Sequence, residues 1–543
     1  MIRLIPKFLL SLSASILLMG CGATALVSTP IENIDSTPLK VTDMTEAEKK
    51  HWGHLDLVTD TIPGMSVDKA YAEIIKNKKG DKVIVAVLDS GIDLKHEDLK
   101  NVLWTNKGEK PGNSKDDDNN GYVDDIHGYN FLGDSYDEQL EAARIVKLGL
   151  GDAATQAKAK ALVEKELAEA QQQKQRYQQM QQAVKAADAA VKQELGKESY
   201  TQEDLAGIQA DDAAMQQSVG ILTQMLSFED SIEEVLEQLD KGIEHFSDQI
   251  DYNYNVDFDG RKIVGDDPYE IESLGYGDGN PQNRVEGESH GTHVAGIIAA
   301  ERGNGKGMDG VANNVEIMAI RAVPNGDEYD KDIALGIRYA VDNGAKIING
   351  SFGKAFSPNA EWVYEAIKYA ADNDVLIVHA AGNDGIDLDS PGNYNYPNDN
   401  ENSDTEIADN VIEVGALAPN YGSEMVAAFS NYGNRNVDIF APGGEIYSAM
   451  PGDEYAFSGG TSMAAPAVAG VAALVRSYYP KLTAAQVKHI ILESGLAPQA
   501  KVVLGGDTSK TATLDQVSKS GRIANAYNAL IMASRVAAGE ITL

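Results

Sequence analysis

From residue 315 onward, short apolar runs alternate with amphipathic ones, and this exchange restricts the fold more than any other feature of the chain. VEIMAIRAV (315–323), AKIINGSFG (345–353), VLIVHAAGN (375–383) and NVIEVGAL (410–417) read as strands, as does KVIVAVLDSG at 82–91. Between them, DKDIALGIRYAVDNG (330–344) and NAEWVYEAIKYAADND (359–374) have helical spacing. Strands without a polar face need cover on both sides, and helical crossovers supply it. The expected fold class is therefore α/β, a mostly parallel sheet with helices on both faces. Reactive groups in such a sheet gather beyond the carboxyl ends of its strands.

One block departs from this rhythm. From Gln139 to Phe246 the chain is dense in Ala, Gln, Glu and Lys, and residues 153–195 suit a single helix about 65 Å long. Val163, Leu167, Tyr177, Val184, Val191 and Leu195 lie near a heptad seam that Lys174, Gln181 and Asp188 interrupt. A stripe this thin fits one arm of a helical hairpin better than a two-chain coiled coil. Gly196 and Ser199 end the arm, and Thr201 with Asp204 and Ser227 with Asp230 read as N-caps of two further helices. The expected organisation is a signal segment at 1–20, a flexible tether at 21–50, and a domain over 51–543 interrupted by a helical insertion at 137–250.

The N-terminal run, with Arg3 and Lys7 ahead of Phe8–Leu18, is too short to span a bilayer and reads as a targeting signal. Cys21 is the chain's only cysteine, so no internal disulfide can form. With 83 acidic against 46 basic residues and a net charge of −37, the chain is unsuited to nucleic acid; a soluble, monomeric body is expected.

Three residues carry the chemistry. Asp89 ends an apolar strand, where a buried carboxylate needs a partner. His290 opens HGTHVAGIIAA, and Ser462 sits at the head of the Ala-rich run TSMAAPAVAGVAAL, where helix N–H groups are free. An acid, an imidazole and a hydroxyl are the parts of nucleophilic acyl transfer. Asn383, at the end of VHAAGN, can offer an amide to the same cleft. His293 is expected to pack; with no glutamate between the histidines and no third ligand, the segment is not a zinc motif.

AVLDSGID (86–93), HGTHVAG (290–296) and GTSMAAP (460–466), in that order, closely resemble the Asp, His and Ser motifs of the subtilisin-like serine peptidases. The resemblance runs over residues 50–535 apart from the insertion. It implies a serine endopeptidase in which Asp89 orients the imidazole, His290 is general base and acid, and Ser462 is the nucleophile. Asn383 and the Ser462 N–H would form the oxyanion hole. Peptide ligation on the same scaffold, or a noncatalytic binding protein, are the competing functions. By the same resemblance, Ser351, Phe352 and Gly353 pair with the substrate backbone, Ala380, Ala381 and Gly382 line the primary pocket, and Asp384 stands at its rim. A hydrophobic or mixed side-chain preference is expected.

The segment LMGC (18–21) resembles a bacterial lipobox, implying lipidation of Cys21 and attachment of the exported protein to the cell envelope. Gly22 is not an acidic retention residue, so the outer membrane is expected if the source is Gram-negative. Catalysis is expected to need no cofactor, with Ca²⁺ as a structural ion. Asp98 and Asn304 match the family's calcium ligands, although Glu301 adds a residue to the second loop. Separately, Asp116, Asp118, Asn120 and Gly121 reproduce the opening of an EF-hand loop, which His127 at the twelfth position fails to complete.

Overall fold

A computed structural model describes residues 28–209, 212–285, 287–400 and 405–543. The signal segment and Cys21 lie outside the described residues. Seven strands form one sheet in the order β2-β3-β1-β4-β5-β6-β7. They are β1 (Val83–Asp89), β2 (Gly128–Asn130), β3 (Val315–Arg321), β4 (Ile347–Gly350), β5 (Leu376–Ala380), β6 (Val411–Leu417) and β7 (Ile439–Pro442), all paired parallel. Alternation along β1 explains the two layers. Val85 and Val87 join the core containing the helices His290–Ala299 and Thr461–Tyr478, while Ala86 and Leu88 join the core under Asp330–Asp342 and Ala360–Asp372. The expected α/β class is therefore the observed one.

Chain order reverses beside β1: β3 lies on one side of it, β4 on the other. Side chains at the carboxyl ends of β1 and β4 therefore face a crevice that no connection fills.

The insertion forms a small helical body. Its long helix runs Ala153–Leu195, started by the Asp152 side chain accepting from the Thr155 N–H and ended by Gly196 at φ 63°. Val184 and Val191 bury against Leu222 of the helix Ala213–Met225 and Val235 and Leu239 of Ile232–Asp248. Lys174, Gln181 and Asp188 leave that stripe thin, as the spacing implied. Thr201 and Asp204 form a capping box, but Ser227 caps nothing: its hydroxyl donates to the Gln224 carbonyl, and Ser231 starts the last helix instead. The difference is physical, since Ser231 has Glu234 three residues on to complete a reciprocal box.

The root of the insertion is pinned beside the crevice. Asn325 donates to the Tyr136 carbonyl at 2.8 Å and its own carbonyl accepts from Glu138 N–H at 3.1 Å. Asn253, on the returning limb, donates to the carbonyls of both Glu138 and Asn325.

The tether differs from expectation. Ile34 is buried in the core, and Ile31 is clasped at both its N–H (2.8 Å) and its carbonyl (3.0 Å) by the side chain of Asn528. Burying Ile34 offsets the entropy of ordering this segment.

Candidate active site

Asp89 closes β1 and is 1% exposed. Its Oδ1 accepts from the Ser90 N–H at 2.7 Å and faces His290 Nδ1 at 2.8 Å. The approach is close because residue 291 is glycine: a Cβ there would stand 2.3 Å from the Gly91 carbonyl oxygen. Burial works against a charged imidazole at His290, but the Asp89 charge and hydrogen bond outweigh it and raise its pKa above the ordinary histidine value. Nδ1 therefore carries the proton, leaving Nε2 as the basic atom.

Ser462 lies in the first turn of Thr461–Tyr478, where backbone N–H groups have no intrahelical partner. It makes a two-way clasp with Ser351 beyond β4. Ser462 Oγ donates to the Ser351 carbonyl at 3.2 Å, and Ser351 Oγ donates to the Ser462 carbonyl at 2.9 Å. Asn383 is oriented by Thr461, whose N–H and hydroxyl both donate to its Oδ1, at 2.8 and 3.0 Å. Its Nδ2 then remains as the donor for a developing oxyanion.

An open cleft of about 300 Å³ is lined by Asp89, His290, Ser351, Phe352 and Gly353, together with Tyr136 from the root of the insertion. Ala380 and Ala381 are buried, and Gly382 takes φ 96°. Asn395 holds the Ala380 carbonyl at 2.8 Å and Asn431 the Ala381 carbonyl at 2.9 Å. Asp384 is exposed but not bare, since Asn431 receives its N–H and donates to its carboxylate at 3.3 Å. Thr461, Asn395, Asn431 and Tyr136 were missed by sequence reasoning. Thr461 could have been found from its place beside Ser462; the two asparagines and the tyrosine carry no local signal. His293 packs as expected: burial depresses it to about 4, and its Nε2 donates towards the carbonyls of Ile446 and Ala456.

The cation candidates divide. Asp98 is fully buried and meets Asn304, whose Nδ2 donates to its Oδ1, while the Tyr455 hydroxyl donates to Oδ2 at 2.9 Å. Of the four residues at the EF-hand-like opening, only Asp118 enters a convergent carboxylate trio, with Glu109 and Asp125. Asp116 instead closes the loop by accepting from the N–H groups of Asn120 and Gly121, and Asn120 donates to Asp125. Burial pushes Asp125 up to about 6, as expected of a carboxylate short of positive charge. A second cluster, His51, His54 and Asp68, already contains a cation: Arg302 reaches His54 Nδ1 and Asp68 Oδ1, each at 3.3 Å.

Comparison with known proteins agrees with this geometry. The profile of the subtilase family (Peptidase_S8) matches residues 80–196 and 233–519, and its break falls within the helical insertion. The chain is 40% identical over 230 residues to the thermophilic serine proteinase of Bacillus sp. (strain AK1), covering 42% of this chain and 50% of that protein. It is 38% identical over 231 residues to the cell wall-associated protease of Bacillus subtilis (strain 168), covering 42% of this chain and 24% of that protein. Subtilisin DY of Bacillus licheniformis is 39% identical over 209 residues, 38% of this chain and 69% of its own length. The chain thus spans half or less of the length of the first two of these relatives. With the profile covering most of the sequence, and Asp89, His290 and Ser462 all falling inside the matched residues, the chain belongs to the subtilase family.

Proposed function

We propose that this protein is an exported serine endopeptidase that hydrolyses peptide bonds through an acyl-enzyme. The observation that carries the reading is the meeting of Asp89 and His290 at 2.8 Å beside a cleft that also reaches the strand clasping Ser462. In the reaction, His290 Nε2 takes the Ser462 proton as Oγ attacks the scissile carbonyl. The oxyanion receives hydrogen bonds from Asn383 Nδ2 and the Ser462 N–H. The imidazolium, steadied by Asp89, then gives its proton to the leaving amine, and water attacks the ester by the reverse route. A fluorophosphonate probe should label wild-type protein at Ser462, and a peptide library should be cleaved by the same preparation. Failure of both would overturn the assignment. Attachment to the envelope through lipidated Cys21 belongs to this reading and rests on the lipobox resemblance. Mass analysis of the N-terminal peptide tests it.

Calcium is proposed as a structural ion. At Glu109 with Asp118 and Asp125 the donors are carboxylate oxygens, as hard cations require, while at Asp98 the Asn304 amide would have to turn its oxygen inward in place of the Nδ2 it now presents. In a chain whose only cysteine is Cys21, such an ion stabilises the native state by mass action, by about 2.7 kcal/mol at a hundred times its Kd. Chelation should therefore lower Tm by several degrees, and calcium should restore it better than magnesium. An unchanged Tm in chelator, with no calcium in metal analysis, would exclude the site.

The insertion is proposed to restrict access. Its root contributes Tyr136 to the cleft wall and pairs with Asn325, while the rest stands on a thin apolar stripe. Replacing residues 140–245 with a Gly/Ser linker should leave cleavage of a small peptide within about tenfold, roughly 1.4 kcal/mol of barrier. Cleavage of folded proteins relative to that peptide should rise. A folded deletion variant with an unchanged ratio would make the block a docking module.

A further inference from the structure

We infer that the cleft contains a subsite for a cationic side chain, with Glu328 as its acidic anchor, so that the preferred substrates carry lysine or arginine in the segment that the cleft binds. The inference rests on the peptidase reading above and narrows its substrate class.

Glu328 lines the same cleft as His290 and Ser351–Gly353, yet it is 2% exposed and its Oε1 has no hydrogen-bond partner. The nearest cation, Lys354, is committed elsewhere. Lys354 Nζ donates to the Glu141 carboxylate at 3.0 Å and to the main-chain carbonyl of Glu328 at 2.7 Å, and pairs with Asp330 at 2.9 Å. An ammonium has three donors, so none is left for the Glu328 side chain. Arg144 reaches the main-chain oxygens of Asp327 and Glu328 and the carboxylate of Glu141 through Nη2, and its Nε and Nη1 are unpaired without meeting Glu328 Oε1. Four carboxylates, those of Glu141, Asp327, Glu328 and Asp330, thus share Lys354 and Arg144, and the cluster is short of positive charge. Burial, with Asp327 and Asp330 nearby, outweighs the Lys354 charge and pushes Glu328 up to about 7.

A buried carboxylate oxygen with no donor is costly, and a ligand ammonium or guanidinium entering the cleft would supply both the charge and the hydrogen bond. By the family resemblance, Ser351–Gly353 pairs with the substrate backbone, which puts Glu328, in the same cleft, beside the bound peptide. Ala380–Gly382 do not line this cavity, so the cationic residue is a different one from that seated in the primary pocket. The net charge of −37 would also steer basic peptides towards the protein.

The test is a positional scan on the intact protein, with Lys, Arg, Gln and norleucine placed in turn at each position around the scissile bond. At one position other than that of the primary pocket, kcat/KM should favour Lys or Arg by about tenfold or more. Glu328→Gln should collapse that ratio towards one, and any general loss of activity cancels in the ratio. Should the variant fail to fold, the wild-type ratio is followed against pH. The groups facing Glu328 are Asp327, Asp330, Lys354 and the His379–Glu413 pair. The ratio should rise with pH through neutrality as the carboxylate forms. No cation preference in the wild-type scan, a ratio unmoved by Glu328→Gln, or a pH-independent ratio would each overturn the subsite. Loss of Ser462 labelling together with all cleavage would instead overturn the peptidase reading.

Discussion

Alanine at position 462 is expected to lower turnover on the order of 10⁴- to 10⁶-fold while leaving the fold in place, a size taken over from subtilisin rather than from this geometry. The hydroxyl is bound to the rest of the protein through the Ser351 carbonyl alone, and that carbonyl borders a cleft open to water. Its loss should therefore cost little stability. His290→Ala in the same protein should add little further loss, since Oγ and Nε2 act on one proton. Steady-state peptide hydrolysis with a melting curve for each variant checks both. Retention of wild-type turnover by Ser462→Ala would place the chemistry elsewhere.

The largest stability effect is expected at Arg321. This guanidinium is fully buried at the end of β3, where it pairs with Glu288 and donates to Asn130 Oδ1 and the Gly133 carbonyl, each at 3.0 Å, and to the Ser135 carbonyl at 2.6 Å. It joins three pieces of chain: the His290 loop through Glu288, the exit of the insertion through residues 133–135, and the sheet itself. Arg321→Met keeps much of the volume but leaves the Glu288 carboxylate buried without its cation, so a loss of about 3–5 kcal/mol is expected in urea unfolding. Pairing it with Glu288→Gln should cost less than the two changes added together, because the second removes the stranded charge. Additive losses would show that the two residues do not depend on each other.

Local signals in the sequence were enough for much of this. Apolar runs bounded by Gly and Asn set the strands, and Asp152 and Gly196 bounded the 43-residue helix. The motifs placed Asp89, His290 and Ser462 because each stands where a strand ends or a helix begins. What could not be read was non-local. The pairing of Tyr136 and Glu138 with Asn325 spans the whole insertion, and only the folded sheet brings them together. Lys331, Lys354 and Arg321 look like surface charges in sequence, yet all are buried against carboxylates far away along the chain. The EF-hand-like spacing identified Asp118 but not its companions: Glu109 lies ahead of the loop, and Asp125 stands at its tenth position, where the motif calls for no ligand.

The Asn528 clasp on Ile31 sets a leash length. If Cys21 carries lipid, about ten residues separate it from Ile31, and at 3.3–3.6 Å per residue that length spans at most about 35 Å. The long insertion helix, at about 65 Å, outreaches that leash. The catalytic body would therefore patrol a thin layer above the membrane rather than the bulk medium, meeting envelope-bound chains at a high effective concentration.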